Sequence, residues 1–580
     1  MDSVNLMPGP EKRVPRLYEV EKGQKTESYI SAITGNSLLT KKKAPPLCKP
    51  DKVIKMFYID EKFTVIYSFF VHFRWLLLIL LVIVLIAMII ASILIILFSP
   101  SCNPVYKPFW WNNAIIYQIW TPSFQDSDGN GLGDLAGLRI RLGRLRKQGI
   151  NAVWVNPFLE SDNFTRAIRD YRTIDPKLGT MEDAEKLIAE AHKHMAFIIT
   201  LPIAITSRSH SWFMRSSSRA SNPINANFSG FYHWRRGNGS SLDEAMYTEY
   251  NNTTIFYMHY ANKPNLPVLN WQNDSVREHM FVSLFSYWID KGIDAFYLSD
   301  IEYLARTSSG MSSNWNNIQD IIRDIRNYVD TYSKESAVTK NKKIVLFADR
   351  KDATEDDKRK LVNSGLNSVV NYELGTISDS SEICGGTDQI GSCTHEILSD
   401  ILIFHNESPE IFGNSELPRL ASRVHSRAQA ELLSMIQFLL PGANSFYYGE
   451  EIGMRNLINS TKCHAQQGVM QWDDAQNAGF STAQQLKVNL HSDYKNINYE
   501  RQLREKYSQL KTFRALAKLR SADATLIRGK TFIGKLVNEH AFTVSRFRYN
   551  DTANDTDDVN CLKEFSFKFS AITIYKLHLM

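Results

Sequence analysis

The stretch SVREHMFVSLFSYWIDKGIDAFYLS, residues 275–299, joins a helix pattern directly to a strand pattern. Four apolar residues in it are spaced four apart: Val276, Met280, Leu284 and Trp288. This spacing puts all four on one face of a helix, and Gly292 is a natural residue to end it. The run DAFYLS at 294–299 has the length and apolar character of a buried strand. A helix followed by a strand is the repeating unit of a parallel α/β sheet.

Seven more short apolar runs are strand-like, and helical patterns separate most of them: AIIYQIW (114–120), NAVWVNP (151–157), AFIITLPI (196–203), KIVLFAD (343–349), SVVNYEL (368–374), EIFGN (410–414) and NSFYYGE (444–450). Eight such strands predict a (β/α)8 TIM barrel, which we place at 109–520. Residues 207–267 are too many for an ordinary loop and predict an inserted subdomain. The alternating pattern of 521–580 predicts a small C-terminal antiparallel β domain.

The segment WLLLILLVIVLIAMIIASILIILF, residues 75–98, contains no charged residue. As a helix it would be about 36 Å long, enough to cross a hydrocarbon core of about 30 Å. A buried core helix would carry a polar stripe, and a signal peptide would not follow 74 residues of chain. We therefore predict a transmembrane helix that also serves as signal anchor, after a tail at 1–74 and before a neck at 99–108.

Basic residues are concentrated on the N-terminal side of this segment: Lys41, Lys42, Lys43, Lys49, Lys52, Lys55, Lys62 and Arg74. Only Lys107 follows closely on the other side. Positive residues stay in the cytosol, so the pattern predicts a single-pass type II protein with a cytosolic N-terminus and its large C-terminal part outside. The net charge of +6 is mild for 580 residues and does not indicate a nucleic-acid partner.

Ten Asn-X-Ser/Thr sequons all follow the apolar segment, which predicts a glycoprotein: Asn163, Asn227, Asn238, Asn251, Asn252, Asn273, Asn406, Asn459, Asn550 and Asn554. Five cysteines also follow it: Cys102, Cys384, Cys393, Cys463 and Cys561. An odd number in an oxidising compartment leaves one thiol for another chain. Cys102, four residues past the segment, is our candidate for an intersubunit disulfide; it could also pair within the chain or stay free. Cys384 and Cys393 could close a small loop.

Several stretches resemble the α-amylase family, in particular its α-glucosidase branch: WWNNAIIYQIWTPSFQDSDGNGLGDLAGL, YRTIDPKLGTMEDAEKLIAEAH, YYGEEIGM and MQWDDAQNAGFS. The resemblance covers residues 109–580 and implies a retaining mechanism in a (β/α)8 barrel. That mechanism uses an aspartate nucleophile after strand four, a glutamate acid/base after strand five and an aspartate after strand seven. Retention requires two carboxyl groups about 5–5.5 Å apart.

The chain departs from the family pattern at each of these positions. Ser299 stands at the nucleophile, and Tyr297 replaces the arginine beside it. Asp349 stands at the acid/base, and Glu416 at the aspartate after strand seven. A serine without a base is a weak nucleophile. We therefore expect a pseudoenzyme with no catalytic residue, in which Ser299, Asp349 and Glu416 are degenerate family positions.

Positions that contact the sugar in the family are replaced as well. Thr200, Ala204 and Ile205 stand where strand three carries Asp, Asn and His, and Arg166 and Ala167 stand where the family has Tyr and Asp. Asp300 follows Ser299, but successive strand side chains alternate between faces, so we expect its carboxylate to turn away from the barrel interior.

The loop DSDGNGLGD resembles the calcium loop near strand one of the α-glucosidase branch. It implies a structural Ca²⁺ site formed by Asp126, Asp128, Asn130, the Leu132 carbonyl and Asp134. Oxygen ligands at alternate positions around glycines suit Ca²⁺. A plain acidic turn is the alternative.

An inside-N membrane span, an inactive glucosidase-like ectodomain and a cysteine just outside the membrane resemble the heavy subunits of heteromeric amino-acid transporters, the rBAT-like glycoproteins. This resemblance implies a heterodimer with a multi-span light subunit, disulfide-linked through Cys102 and brought to the plasma membrane for amino-acid transport. A membrane-anchored active α-glucosidase and a carbohydrate-binding ectodomain are the alternatives.

Overall fold

A computed structural model describes residues 61–98, 109–218, 223–237, 246–251, 253–307, 313–339, 342–349, 354–379, 384, 389–404, 410–412, 417–458, 464–537 and 541–547. The chain divides into two units, Met1–Ser99 and Pro100–Met580. Most of the predicted tail, the neck with Cys102, and Glu416 lie outside the described residues.

The first unit contains one described helix, α1 at Glu61–Phe98. Within it, Ser68–Ile95 is long and apolar enough to cross a membrane, with a mean hydropathy of 3.5 and no buried residue. The helix begins at Glu61, 14 residues before the predicted start at residue 75. The prediction of one apolar spanning helix near the N-terminus is confirmed.

The second unit contains every described strand, and these are β1 Ile115–Trp120, β2 Ala152–Asn156, β3 Leu159–Ser161, β4 Ile168–Ile174, β5 Ala196–Pro202, β6 Trp234–Arg236, β7 Tyr247–Glu249, β8 Ile255–Tyr260, β9 Lys263–Pro267, β10 Ala295–Ser299, β11 Val345–Asp349, β12 Ser368–Asn371, β13 Glu410–Phe412, β14 Ala443–Tyr447, β15 Lys530–Ile533 and β16 Val544–Phe547.

Eight of these strands close into a parallel barrel in the order β1-β2-β5-β10-β11-β12-β13-β14, with β14 returning to β1. They coincide with the eight apolar runs of the sequence, so the predicted (β/α)8 barrel is confirmed. Every residue of β10, β11 and β14 is buried. Strands covered on both faces read as continuous apolar runs, which is why the sequence pattern is strong.

Helices surround the barrel, and the described ones after α1 are α2 Leu135–Lys147, α3 Met181–Ala191, α4 Ser211–Ser217, α5 Asp274–Met280, α6 Tyr287–Asp290, α7 Trp315–Glu335, α8 Glu355–Asn363, α9 Ile390–Phe404, α10 Leu420–Arg423, α11 Arg427–Leu439, α12 Tyr499–Arg504, α13 Gln509–Ala522 and α14 Ala524–Arg528. Capping boxes begin α3 at Thr180 and α11 at Ser426, where side chains satisfy the first free backbone N–H groups.

The helix predicted at 275–292 is continuous but not uniform. A π-helical segment, Phe281–Ser286, joins α5 to α6. The four apolar residues spaced four apart are all fully buried. Gly292 follows the helix with a φ of +93°, a backbone conformation that other residues rarely adopt, and so turns the chain into β10.

The stretch at 207–267 contains α4 and an antiparallel sheet of β6, β7, β8 and β9. The C-terminal stretch contains α14 and the antiparallel pair β15–β16, while residues 548–580 lie outside the described part. Cys384 and Cys393 form a disulfide, as their spacing suggested.

Candidate functional site

Ser299 and Asp349, which the sequence singled out, lie at the carboxyl ends of barrel strands. Catalytic groups of (β/α)8 enzymes lie at that end of the barrel. Ser299 is the last residue of β10 and is buried. Its hydroxyl donates a hydrogen bond to Oδ2 of Asp300 over 2.9 Å. The serine hydroxyl is therefore engaged by the carboxylate of the next residue.

Asp300 lies directly after β10 in a left-handed conformation with a φ of +62°. Its side chain is almost fully buried and forms an ion pair with the guanidinium of Arg166. We expected strand alternation to turn this carboxylate away from the barrel interior. The strand ends at Ser299, and after the left-handed turn the Asp300 carboxylate accepts the hydrogen bond of the Ser299 hydroxyl. Left-handed non-glycine residues concentrate at functional sites.

Arg166 therefore connects the stretch before β4 to the residue that follows β10. Its guanidinium also lies over the ring of Tyr260, 5.1 Å from the centroid, a distance that suits a cation–π contact. Tyr260 in turn donates a hydrogen bond to Glu302 over 3.3 Å. The ion pair and these neighbours occupy the mouth of the barrel beside β10.

Glu302 adds a further carboxyl group to this cluster, and it is not among the residues predicted from the sequence. Burial, the negative charge of Asp300 and that of Asp349 raise its pKa to about 7, against an ordinary 4.5. Glu302 lies in the short 3₁₀ turn after β10, and no family motif in the sequence marks this position.

Asp349, the residue at the acid/base position, ends β11 and is buried. One oxygen accepts a hydrogen bond from the hydroxyl of Tyr372 over 2.8 Å. That hydroxyl lies 3.1 Å from the hydroxyl of Tyr297, which stands where the family has an arginine. The two tyrosine hydroxyls thus form a chain that ends on the Asp349 carboxylate.

Aromatic rings fill the barrel interior below this mouth. Trp154 packs on Tyr297 with 4.6 Å between ring centroids, and both contact Phe347. The indole N–H of Trp154 donates to Thr200 Oγ1 over 2.8 Å. Thr200 is the first of the replaced positions of strand three, and it serves here to satisfy a buried donor.

The remaining replaced positions are apolar and fully buried. Ala167, Ala204 and Ile205 belong to the hydrophobic core. None of them carries a polar side chain that could contact a sugar hydroxyl. Ser415 and Glu416, after β13, lie outside the described residues.

The loop after β1 brings together three of the predicted calcium ligands. Carboxylate oxygens of Asp126, Asp128 and Asp134 all lie within 4.8 Å of one another. Among the salt bridges of the described residues, none involves these three carboxylates. A cluster of three unneutralised carboxylates fits a hard divalent cation such as Ca²⁺.

The same loop is also organised by its own hydrogen bonds. Asp126 accepts from Ser481 Oγ over 2.6 Å and from the Gly131 N–H over 2.8 Å. Asp134 caps α2 by accepting from the Gly137 N–H over 2.7 Å. Asn130 Oδ1 accepts from the Leu132 N–H over 2.9 Å, so its amide is directed within the loop. Asp128 is exposed and is the member of the cluster with the fewest structural duties.

Four of the predicted glycosylation residues are described. Asn163, Asn227 and Asn251 are exposed, whereas Asn273 is half-buried. The Asn273 side chain caps α5 by accepting from the Ser275 N–H over 2.9 Å. Its amide nitrogen lies close to Gly230, since a Cβ built on that glycine would come within 2.4 Å of it. The predicted residues Asn238, Asn252, Asn406, Asn459, Asn550 and Asn554 lie outside the described part of the chain.

Residues 118–529 match the family model "Alpha amylase, catalytic domain", which is most of the chain. The chain belongs to the α-amylase family. A second model, "Solute carrier family 3 member 2 N-terminus", matches residues 67–117, which include the apolar segment and the start of the barrel.

Curated relatives of this α-amylase family member include a maltase and amino acid transporter heavy chains. It is 30% identical to Maltase A2 of Drosophila melanogaster over 468 residues, covering 72% of this chain and 80% of the relative. It is 27% identical to the amino acid transporter heavy chain SLC3A1 of Homo sapiens over 497 residues, covering 76% of this chain and 68% of the relative. The chain thus resembles rBAT-like heavy subunits with a glycosidase-like ectodomain.

Among solved structures, the Bacillus licheniformis trehalose-6-phosphate hydrolase matches with a TM-score of 0.65 and 22% identity, covering 77% of this chain and 89% of that one. This likeness supports the α-amylase fold.

Proposed function

We propose that this protein is a catalytically inactive heavy chain that associates with a multi-span light subunit, brings it to the plasma membrane and so supports amino-acid transport. The observation that carries the proposal is the joining, in one chain, of an apolar segment of the solute carrier family 3 type to an α-amylase barrel. Soluble glucosidases have no need of such a segment, whereas a subunit that escorts a membrane transporter does.

The mouth of the barrel supports the proposed lack of activity. Ser299 stands at the nucleophile position, and the Arg166–Asp300 ion pair occupies the neighbouring space. A retaining glycosidase needs one carboxylate to attack and one carboxylic acid to protonate the leaving group. Here the buried Asp300 carboxylate is engaged by Arg166 and by the Ser299 hydroxyl, so both groups beside the proposed nucleophile position are already bonded within the protein.

The proposed topology is type II, with a cytosolic N-terminus, because basic residues precede α1 and all ten sequons follow it. Cys102 would form the disulfide to the light subunit. We also propose a structural Ca²⁺ held by Asp126, Asp128, Asn130, the Leu132 carbonyl and Asp134, since the described carboxylates converge there.

The first test uses membranes from cells that express the full chain. Deglycosylated samples are run with and without reductant, and bands are identified by mass spectrometry. We expect a larger band that separates on reduction into this chain and a multi-span transporter, and that is absent for Cys102→Ser. A chain that runs alone in both lanes would overturn the covalent partnership.

An active membrane-anchored α-glucosidase is the second candidate, favoured by the 30% identity to Maltase A2. The detergent-solubilised full chain is assayed with a fluorogenic α-glucoside, beside Asp349→Asn. We expect no turnover by either protein. If the wild type hydrolyses the substrate and Asp349→Asn abolishes that activity, the proposed inactivity is overturned. The apolar helix would then serve only to anchor an active enzyme in the membrane.

A further inference from the structure

A basic groove lies between the C-terminal end of α2 and the outer face of α13. It has a volume of about 720 Å³ and is lined by five cationic residues: Arg146, Lys147, Lys511, Arg514 and Lys518. Its lining contains no aspartate or glutamate. The proposed transport function does not use this surface, and neither the barrel mouth nor the calcium loop contributes to it.

The groove has walls that the fold holds in place. A Cβ built on Gly149, whose φ is +91°, would lie 2.8 Å from the Cβ of Ala517, so the turn after α2 packs tightly on α13. The Arg514 Nε–H donates to the Lys147 carbonyl over 3.2 Å. Lys511 donates to the Glu505 carbonyl. These contacts arrange the cations without neutralising them.

Carboxylates near the groove are already used elsewhere. Glu500 pairs with Arg144, and Glu505 pairs with Arg501. Within the described residues, no salt bridge reaches any of the five groove cations. Their charges are therefore available to an external anion.

Helix stability explains only part of this arrangement. Cations in the last turn of α2, such as Arg146 and Lys147, interact favourably with the helix dipole. Lys511, Arg514 and Lys518 on α13 are spaced three and four residues apart, where like charges destabilise a helix. Their stripe extends over about 10 Å of the helix axis. A row of like charges along a groove suits a linear polyanion.

We propose that this groove binds a sulfated polysaccharide. The choice of this polyanion rests on the proposed extracellular orientation, because anionic phospholipid is concentrated in the cytoplasmic leaflet. A rod with sulfates along its length would contact the α13 stripe and the end of α2 together. An isolated sulfate ion would reach only one or two of the cations.

The test measures binding of the detergent-solubilised full chain to heparin at about 0.15 M salt. The variant R146Q/K147Q/K518Q removes three exposed groove cations, none of which makes a described side-chain hydrogen bond. The matched control K186Q/K193Q/R323Q removes three exposed cations from outside the groove. We expect at least about tenfold weaker heparin binding for the groove variant and nearly unchanged binding for the control. Only cations that contact the bound polyanion displace its counterions, and the control cations lie outside the groove.

Equal weakening by both variants, or by neither, would overturn the proposal. Thermal unfolding verifies that both variants fold. Phosphatidylserine vesicles are tested in a flotation assay. Binding to these vesicles that is as strong as binding to heparin, and that is lost with the same cations, would assign the groove to a lipid surface instead. Inorganic sulfate is also tested as a competitor of bound heparin at matched ionic strength. If it displaces bound heparin as effectively as free heparin does, the groove is a small-anion site. A reduction-sensitive complex with the light subunit is scored separately, so failure of either claim leaves the other standing.

Discussion

Arg166 and Asp300 form an ion pair across the mouth of the barrel, although 134 residues separate them in the chain. The aspartate is almost wholly buried, and the arginine side chain keeps 29% of its exposure. The pair places a neutralised carboxylate beside Ser299. It connects the stretch before β4 to the end of β10, which gives the pair a structural role.

Breaking this pair by Arg166→Met should lower the free energy of unfolding by about 2 kcal/mol. The change leaves the buried Asp300 carboxylate without its partner, and the partial exposure of Arg166 reduces the loss from the roughly 3–5 kcal/mol typical of fully buried pairs. Thermal unfolding of the full chain in detergent measures the effect. Arg169→Met is the control, since its pair with Asp162 is more exposed and should contribute less than about 1 kcal/mol. Equal effects of the two substitutions would contradict the structural role.

Glu302 should make the protein less stable as pH rises from 4.5 to 7. Its pKa is about 7 in the folded protein and 4.5 ordinarily, so the folded state holds a proton that the unfolded state has lost over this range. The stability that this proton contributes is greatest below pH 4.5, falls until about pH 7 and then stays level. The full difference is about 3 kcal/mol.

Glu302→Gln should remove this slope, which is measured by unfolding at about pH 5 and pH 8, on either side of the folded pKa. Glu249→Gln, an exposed glutamate on β7, serves as control and should keep the wild-type slope. An unchanged slope in Glu302→Gln would mean that another group carries the titration.

Asp294, the residue before β10, should stabilise the protein at neutral pH through the contacts of its carboxylate. Its carboxylate accepts from His192 over 2.9 Å and from the Phe197 N–H over 2.7 Å, and it pairs with Lys342. Burial alone would raise its pKa, but these partners together lower it below 3.8. The stabilisation is therefore complete above about pH 4 and is lost as pH falls through the lower folded pKa.

Asp294→Asn should cost about 1–3 kcal/mol at neutral pH, because donors lose a charged acceptor. The deficit should shrink at acidic pH, below the lowered folded pKa of Asp294, where the wild-type carboxylate becomes protonated. Unfolding experiments at both pH values measure the change. Asp320→Asn, on an exposed pair with Arg323, should show neither effect. A deficit that is the same at both pH values would assign the loss to packing instead of charge.

Removal of calcium should lower the midpoint of thermal unfolding. A bound ion stabilises the folded state in proportion to the logarithm of its concentration over Kd, about 2.7 kcal/mol at a hundredfold excess. We expect EDTA to lower the midpoint by several degrees and Ca²⁺, but not an equal concentration of Mg²⁺, to restore it.

Asp128→Asn should abolish this calcium response while changing the midpoint in EDTA little, because Asp128 is exposed and Asp126 and Asp134 carry most of the loop's internal hydrogen bonds. Asp170→Asn, an exposed aspartate on β4, should respond as the wild type does. An EDTA effect of zero on the wild type would favour a plain acidic turn.

Periodicity of apolar residues along the chain was enough to locate the barrel. The eight strands and the helix at 275–292 are visible because burial on both faces demands apolar runs, and burial on one face demands a spacing of three to four. The π-helical segment inside that helix was not predictable, since Phe281–Ser286 keeps the same apolar spacing in either helix type.

At the site, the chain order alone predicted Ser299 and Asp349 at strand ends and the closeness of Asp126, Asp128 and Asp134. Local sequence is informative there because each motif lies within one strand end or one turn. It could not reveal the Tyr372 contact with Asp349 or the clustering of Glu302, because these depend on where separate loops meet above the barrel.

Amino-acid order by itself determined the apolar helix and the barrel, since each is encoded by neighbours along the chain. The tertiary structure alone decided that Asp300 turns back onto Ser299 and pairs with Arg166, and that α2 and α13 enclose a basic groove. The ion pair and the groove depend on packing between elements more than a hundred residues apart. The contact of Asp300 with Ser299 depends on the left-handed backbone conformation of one residue, which redirects its charge. No sequence pattern records either outcome.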